Sequence, residues 1–331
     1  MKKNVYILWM VMTCFSAFSQ HHRFSITWSY ALANGKTPSL TTLTHADALA
    51  RPEAEQLLKE LIDKSKLDFK CIYNGCQNRA MMLSLLLQKK GIKHYKIWNF
   101  EPSMVSLFSK MESLNVDDAL GMRTSKIYWG FHVAVSLLIK GPDNRIDTAV
   151  VDPSFAGRLL SVSEWLAMQN SPNSSYTFLD PQWYNFVTLP GTSFTCNGGT
   201  VNIPECYPKI ITGDFYEFNA NSKNLVATEM ATNEQITRAA TELISKLPVN
   251  DPNRQKLTAT VTSDFLFFKG VLQGTQSLSN DDPFKKYLKD YQAAYTSQWI
   301  TGLNSLIDVC GELPVIIVRS KKEAIPNGMA S

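Results

Sequence analysis

The sequence predicts an α+β chain, and three observations carry that prediction. Helical periodicity dominates residues 51–91, alternating apolar strands dominate residues 92–151 around a reversing turn, and amphipathic helical patterns return beyond residue 213. The expected core is a buried helix packed on an antiparallel sheet, with a mainly helical C-terminal extension.

The first 19 residues read as a signal peptide. Lys2 and Lys3 supply a positive start, Val5 to Phe15 an apolar run, and Ala17 and Ser19 the small residues of a cleavage site, which predicts a mature chain from Gln20. The run is too short to span a bilayer, and no later stretch approaches the roughly 20 apolar residues that spanning needs. Val11, Met12 and Thr13 form a poor lipoprotein box before Cys14. A secreted or periplasmic protein with no membrane span is expected. Beyond residue 19 the chain carries 31 basic and 29 acidic residues, a balance that gives no footprint for nucleic acid.

Residues 20–50 form a polar leader segment with one strand expected within Phe24 to Tyr30. Pro52, followed by Glu53, Glu55 and apolar Leu57, Leu58, Leu61 and Ile62, predicts a helix to about Lys64. Phe69 to Tyr73 is extended and Asn74-Gly75 is a turn. From Cys76 the pattern Ala80, Met81, Leu83, Leu85, Leu86, Leu87 predicts a mostly buried helix stopped at Gly91. Ile92 to Phe100 alternates as a strand, and residues 101–126 are an insertion with a short helix near Val105 to Met111.

Strands Ile127 to Ile139 and Ile146 to Val151 flank Gly141-Pro142-Asp143-Asn144, a turn composition. Residues 161–170 read as helical and 171–210 as loop-rich with aromatic strands. Thr232 and Gln235 have the spacing of a capping box, Pro283 opens an aromatic-striped helix through Phe284, Tyr287, Tyr291 and Tyr295, and Pro314 to Val318 reads as a late strand. The organisation expected is a catalytic domain over 51–212 and a helical region over 213–331.

Chemistry concentrates at three places. A thiol in the first turn of a helix faces unpaired N–H groups and the positive end of the dipole, which favours thiolate, and Cys76 stands there after Gly75. The competing reading is a small core residue or half of a disulfide with Cys71. If the hairpin reverses about residue 142, His132 and Asp152 lie directly opposite one another on one face, and a carboxylate beside an imidazole fixes its tautomer. The competing reading is a surface pair, weakened by the apolar neighbours Phe131, Val133, Val135 and Ala149 to Val151. Five cysteines beyond residue 19 leave at least one thiol unpaired, and Cys196 with Cys206 is the expected disulfide across a glycine- and proline-containing loop. No histidine pair has metal-ligand spacing, so no metal or other cofactor is expected.

The stretches YNGCQNRA (73–80), GFHVAV (130–135) and VVDPSF (150–155) resemble, in this order, the catalytic motifs of bacterial protein-glutaminases. The resemblance covers about residues 50–190, including the Ser163-Glu164-Trp165 helix. It implies Cys76 as nucleophile, His132 as general base and acid, and Asp152 as its orienter, on a papain/transglutaminase-like core. It further implies hydrolysis of the glutamine side-chain amide in a protein or peptide partner, with release of ammonia. The stretch between Cys76 and His132 is longer than is usual in the family, and residues beyond about 210 have no counterpart in it.

The same triad would serve a transglutaminase if lysine took the acyl group, or a cysteine peptidase if a backbone amide entered the groove. A non-catalytic secreted binding protein is the reading of another class; it predicts a missing triad member, and all three are present. Two further expectations follow: Asp152→Asn keeps more activity than His132→Ala because an amide still orients the ring, and residues 215–331 dock on the core, either gating the groove or forming a stabilising subdomain distant from Cys76.

Overall fold

The computed structural model describes residues 22–23, 30–32, 38–70, 72, 75–102, 113–118, 126–188, 211–218, 223–263, 265–277 and 283–313. The signal segment, the 105–111 helix, Cys71, Cys196, Cys206 and the Pro314 to Val318 strand lie outside these residues. Among them, no helix is long and apolar enough to cross a membrane.

The leader supplies strands β1 (His22–Arg23), β2 (Tyr30–Leu32) and β3 (Leu49–Ala50). Helix α1 (Arg51–Ser65) has Pro52 in its first turn, buries Ala54, Leu57, Leu58 and Leu61, and stops at Lys66 in the left-handed region. Helix α2 (Cys76–Lys89) is buried almost all round from Asn78 to Leu87, which is why its sequence is apolar on every face rather than along one stripe. Then come β4 (Tyr95–Phe100), the hairpin β5 (Leu114–Asp117) and β6 (Lys126–Trp129), and the long β7 (Phe131–Lys140) with β8 (Ile146–Val151) and β9 (Leu160–Ser161). The short helix α3 (Val162–Ala167) is capped by Ser161 and Glu164 in a reciprocal capping box. Strands β10 (Ser175–Leu179), β11 (Trp183–Thr188) and β12 (Ile211–Glu217) complete the β part, and α4 (Lys223–Ser245), α5 (Pro252–Ser263), α6 (Phe265–Gln273) and α7 (Pro283–Glu312) follow.

The main sheet runs β1-β10-β4-β7-β8-β9, with β3 added beside β7; apart from the two-residue β1 and β3, its pairings are antiparallel. It is buried on both faces. Odd-numbered residues of β7, Val135 and Leu137, pack with α1 and α2, while Ala134 packs with Val150, Trp165 and Leu166 on the α3 side. The leader is therefore part of the sheets rather than a preface to them, since β1 pairs β10 and β2 pairs β12.

Two details differ from the sequence reading. The β7–β8 hairpin turns one residue later than expected: Val135 faces Val151 and Leu137 faces Ala149, with Asn144 taking a positive φ in the turn. His132 and Asp152 are thus offset along the strands by two residues instead of directly opposed, and because side chains alternate with period 2, a slip of two leaves them on the same face. Helix α4 begins at Lys223, so Thr232 is a buried mid-helix residue and not a cap. Other threonines in this helix turn their hydroxyls back onto it, as Thr237 Oγ1 does in donating to the Asn233 carbonyl at 2.8 Å.

The boundary expected at 212 falls inside β12, whose pairing with β11 makes it part of the β structure. The helices beyond it dock on the core. Ala227, Met230, Cys310 and Leu313 share one apolar cluster with Met81, Leu85 and Leu137, while Ile236, Ala240, Leu243, Leu257, Phe268 and Leu288 form a second cluster among the helices themselves.

Candidate active site

Helix α2 delivers Cys76 because Gly75 precedes it with φ +80°, a conformation that L side chains rarely adopt. The first α-helical bond runs from Arg79 N–H to the Gly75 carbonyl, so the N–H groups of Cys76, Gln77 and Asn78 precede the helix's own ladder. Cys76 is a free thiol packed against the cluster of Trp98, Phe100, Val133 and Phe186.

His132 and Cys76 belong to opposite faces of the sheet, and β8 explains how they meet. It pairs with β7 only from Val135 onward and then departs at Asp152, which leaves that edge of β7 open beside residues 131–134. The Val133 N–H and the His132 ring both act on the sulfur at this opening.

His132 is 2 % exposed and its Nε2–H donates to Asp152 Oδ2 at 2.7 Å. With Nε2 committed to Asp152, Nδ1 is the ring nitrogen that can interact with the Cys76 thiol. The ring lies between Trp129 and Trp165, stacked on each at centroid distances of 5.2 and 5.6 Å, with Phe155 at 4.8 Å. Asp152 also accepts from Trp165 Nε1–H at 2.9 Å and, through Oδ1, from Ser154 N–H at 3.2 Å.

The charges follow from these contacts. Burial alone would raise the Cys76 thiol, but its hydrogen bond and attraction to His132, with smaller help from Arg79 and the Val133 N–H, bring it below the ordinary thiol value. Burial would lower His132, but Asp152 and the Cys76 sulfur together push it up to about 9. Burial likewise opposes ionised Asp152, and His132, Trp165 and Arg79 overcome it, so the carboxyl is held below its usual range. These contacts all act in one direction, favouring ionised Cys76 and Asp152 on either side of a protonated His132.

This geometry revises the expected cost of Asp152→Asn. Both carboxylate oxygens are committed as acceptors, so an amide NH2 must face either Ser154 N–H or the His132 and Trp165 donors. We predict that alkylation of Cys76 by iodoacetamide rises through a midpoint below pH 9.0, the ordinary thiol value, and that Asp152→Asn moves the midpoint up. The sign is set by the imidazolium: without carboxylate support it loses its proton at lower pH, and the thiolate loses its partner. An unchanged midpoint in the variant would detach Asp152 from the thiol.

The thiol opens into a cavity of about 230 Å³ lined by Ile72, Cys76, Gln77, Trp129, Gly130, Phe131 and Asn185. That is smaller than the roughly 300–1,000 Å³ of pockets for drug-sized ligands and suits one side chain. Among the described residues, none of the lining belongs to α4–α7, which pack elsewhere on α2, so the described lining gives no support to gating by that region. Trp129 holds the cavity wall by donating Nε1–H to the Ile72 carbonyl at 3.1 Å.

Sequence reasoning did not single out Trp129, Phe155, Gln77 or Asn185, and it saw Trp165 only as part of a resembling helix. One signal was present: Trp165, on the helix 13 residues after Asp152, carries an indole N–H that needs an acceptor when buried, and that aspartate is a near neighbour in sequence.

The chain has specific likenesses. Residues 54–169 match the family model described as glutaminase. Among solved structures it resembles the NMR structure of protein-glutaminase from Chryseobacterium proteolyticum, at 17% identity over 46% of this chain and 82% of that one, TM-score 0.34. It also resembles a crystal structure of protein-glutaminase (15% identity, 62% and 97% covered, TM-score 0.35) and one of pro-protein-glutaminase (15%, 65% and 64%, TM-score 0.36). No curated protein matches it by sequence.

Proposed function

We propose, from the premise that residues 54–169 make this chain a member of the glutaminase family, that it is an exported protein-glutamine deamidase acting through Cys76, His132 and Asp152. The observation that carries the mechanism is the buried sequence of contacts from Asp152 through His132 to the thiol beside a cavity of side-chain size. The papain-like organisation and the domain limits are part of this reading, with the helical region lending stability.

The glutamine side chain enters past Trp129 and Phe131 and sets its amide carbon against the thiolate. Attack forms the C–S bond and a tetrahedral oxyanion, which the Cys76 N–H at the start of α2 stabilises. Collapse breaks the C–N bond, and the imidazolium gives its Nδ1 proton to the departing ammonia. Water then adds to the thioester with His132 as base, releasing glutamate and restoring the ion pair. Asp152 stays ionised throughout and holds the ring in the orientation that keeps Nδ1 toward sulfur.

The direct test is ammonia release from a glutamine peptide, free glutamine and an asparagine peptide, with and without a lysine peptide as acceptor. Release from the glutamine peptide, at a rate falling above about pH 9 as His132 loses its proton, is expected. No release from the glutamine peptide, or cross-linking to lysine in place of hydrolysis, overturns the deamidase assignment.

A further inference from the structure

An oxyanion hole is built from more than one donor, and the Cys76 N–H at the start of α2 is one. Two carboxamides line the cavity with the thiol, Gln77 and Asn185. Gln77 is engaged with the nucleophile itself, its Oε1 accepting from the protonated Cys76 Sγ–H at 3.5 Å. Asn185 is different.

Asn185 sits just after an irregularity in the β11–β12 ladder. Trp183 faces Glu217 and Asn185 faces Tyr216, so Tyr184 is the extra residue of a β-bulge, a feature that re-aims the side chains beside it. The bulge is pinned on both sides. The fully buried Lys96 donates Nζ–H to the Trp183 carbonyl at 2.8 Å, and the Tyr184 hydroxyl donates to Asn78 Oδ1 on the first turn of α2. Phe186 follows and packs into the aromatic cluster that also holds Cys76.

The amide of Asn185 is itself oriented. Its Oδ1 accepts the Phe186 N–H at 2.9 Å, which fixes which end is oxygen and leaves Nδ2, with two N–H donors, as the other end. A regular β11 would put this residue one step out of phase. A carboxamide oriented by its own strand, next to a residue bonded to the nucleophile helix, and in the wall of the cavity that Cys76 also lines has the properties of a preorganised donor.

We propose that Asn185 is a catalytic residue, its Nδ2 donating to the oxyanion opposite the Cys76 N–H. This rests on the deamidase reading and completes it: the bulge, Lys96 and Tyr184 are the supports that hold the donor in place.

The experiment compares wild type, Asn185→Ala and Asn185→Asp for kcat and KM in ammonia release from a glutamine peptide, and for the maximal alkylation rate of Cys76 by iodoacetamide. Asn185→Asp keeps an acceptor for the Phe186 N–H and loses the donor, so it serves where the alanine variant does not fold. Removing one such donor costs roughly 10²–10³ in kcat. Both variants should show that loss with KM and maximal alkylation within about threefold of wild type, because alkylation forms no oxyanion. A kcat within about threefold of wild type in a folded variant, or an alkylation rate that falls in step with kcat, overturns the assignment. An inactive wild type would remove the deamidase reading and this one with it, whereas active wild type and active variants remove only Asn185.

Discussion

Cys76→Ala should release no measurable ammonia while remaining folded. Among the described lining residues, Cys76 carries the only group able to attack carbon, and removing a triad nucleophile costs on the order of 10⁶ in kcat. The fold should survive because Cys76 lies at the half-buried start of α2, where alanine removes one sulfur and creates little cavity. His132→Ala should be nearly as severe, since it removes both the proton donor to ammonia and the cation that keeps the thiol ionised. It should also abolish the low-pH alkylation of Cys76, which Cys76→Ala cannot report. Ammonia release and intact mass after alkylation check the pair, and a folded Cys76→Ala with near-normal turnover would remove it as nucleophile.

The parts of this site that sequence made legible are those encoded locally. A glycine-cysteine pair opening an apolar helix, a histidine in a buried strand and an aspartate after one are each a short-range pattern, and the order of the three carries the resemblance. The pairing of His132 with Asp152 survived a misplaced turn only because the slip was even; a slip of one would have sent the carboxylate to the α2 face. Trp129, Asn185 and Trp165 were harder because they reach the site through tertiary geometry. Trp129 comes from the far side of the insertion, Asn185 from a bulge whose existence depends on how β12 pairs, and neither pairing has a local signature. The start of α4 was missed for the opposite reason, a local signal overridden by a helix that tertiary packing extends.

A chain ending at Phe218 should fail to fold as an active enzyme, the reverse of the gain in access expected from a gate. Truncation there keeps β12 but strips Ala227, Met230, Cys310 and Leu313 from the cluster that buries Met81, Leu85 and Leu137, exposing the face of the nucleophile helix opposite its thiol. It also removes Glu234, which is 3 % exposed, accepts the Asp68 N–H and lies 3.5 Å from Arg238. Burial pushes the Glu234 carboxyl up, and the charge of Arg79, 4 % exposed on α2, opposes that rise, so the two report a short path between α4 and the site. Losing that apolar cover weighs against a total stability of only about 5–15 kcal/mol. The expected outcome is a truncated protein with no cooperative thermal transition and no turnover. Glu234→Gln in the full chain should stay folded but melt at a lower temperature, because the amide keeps an acceptor for Asp68 N–H and loses the charge facing Arg79 and Arg238. A soluble, cooperatively folded chain ending at Phe218 that deamidates a large protein substrate faster than the full-length enzyme would overturn the stabilising role and return residues beyond 218 to the part of a gate.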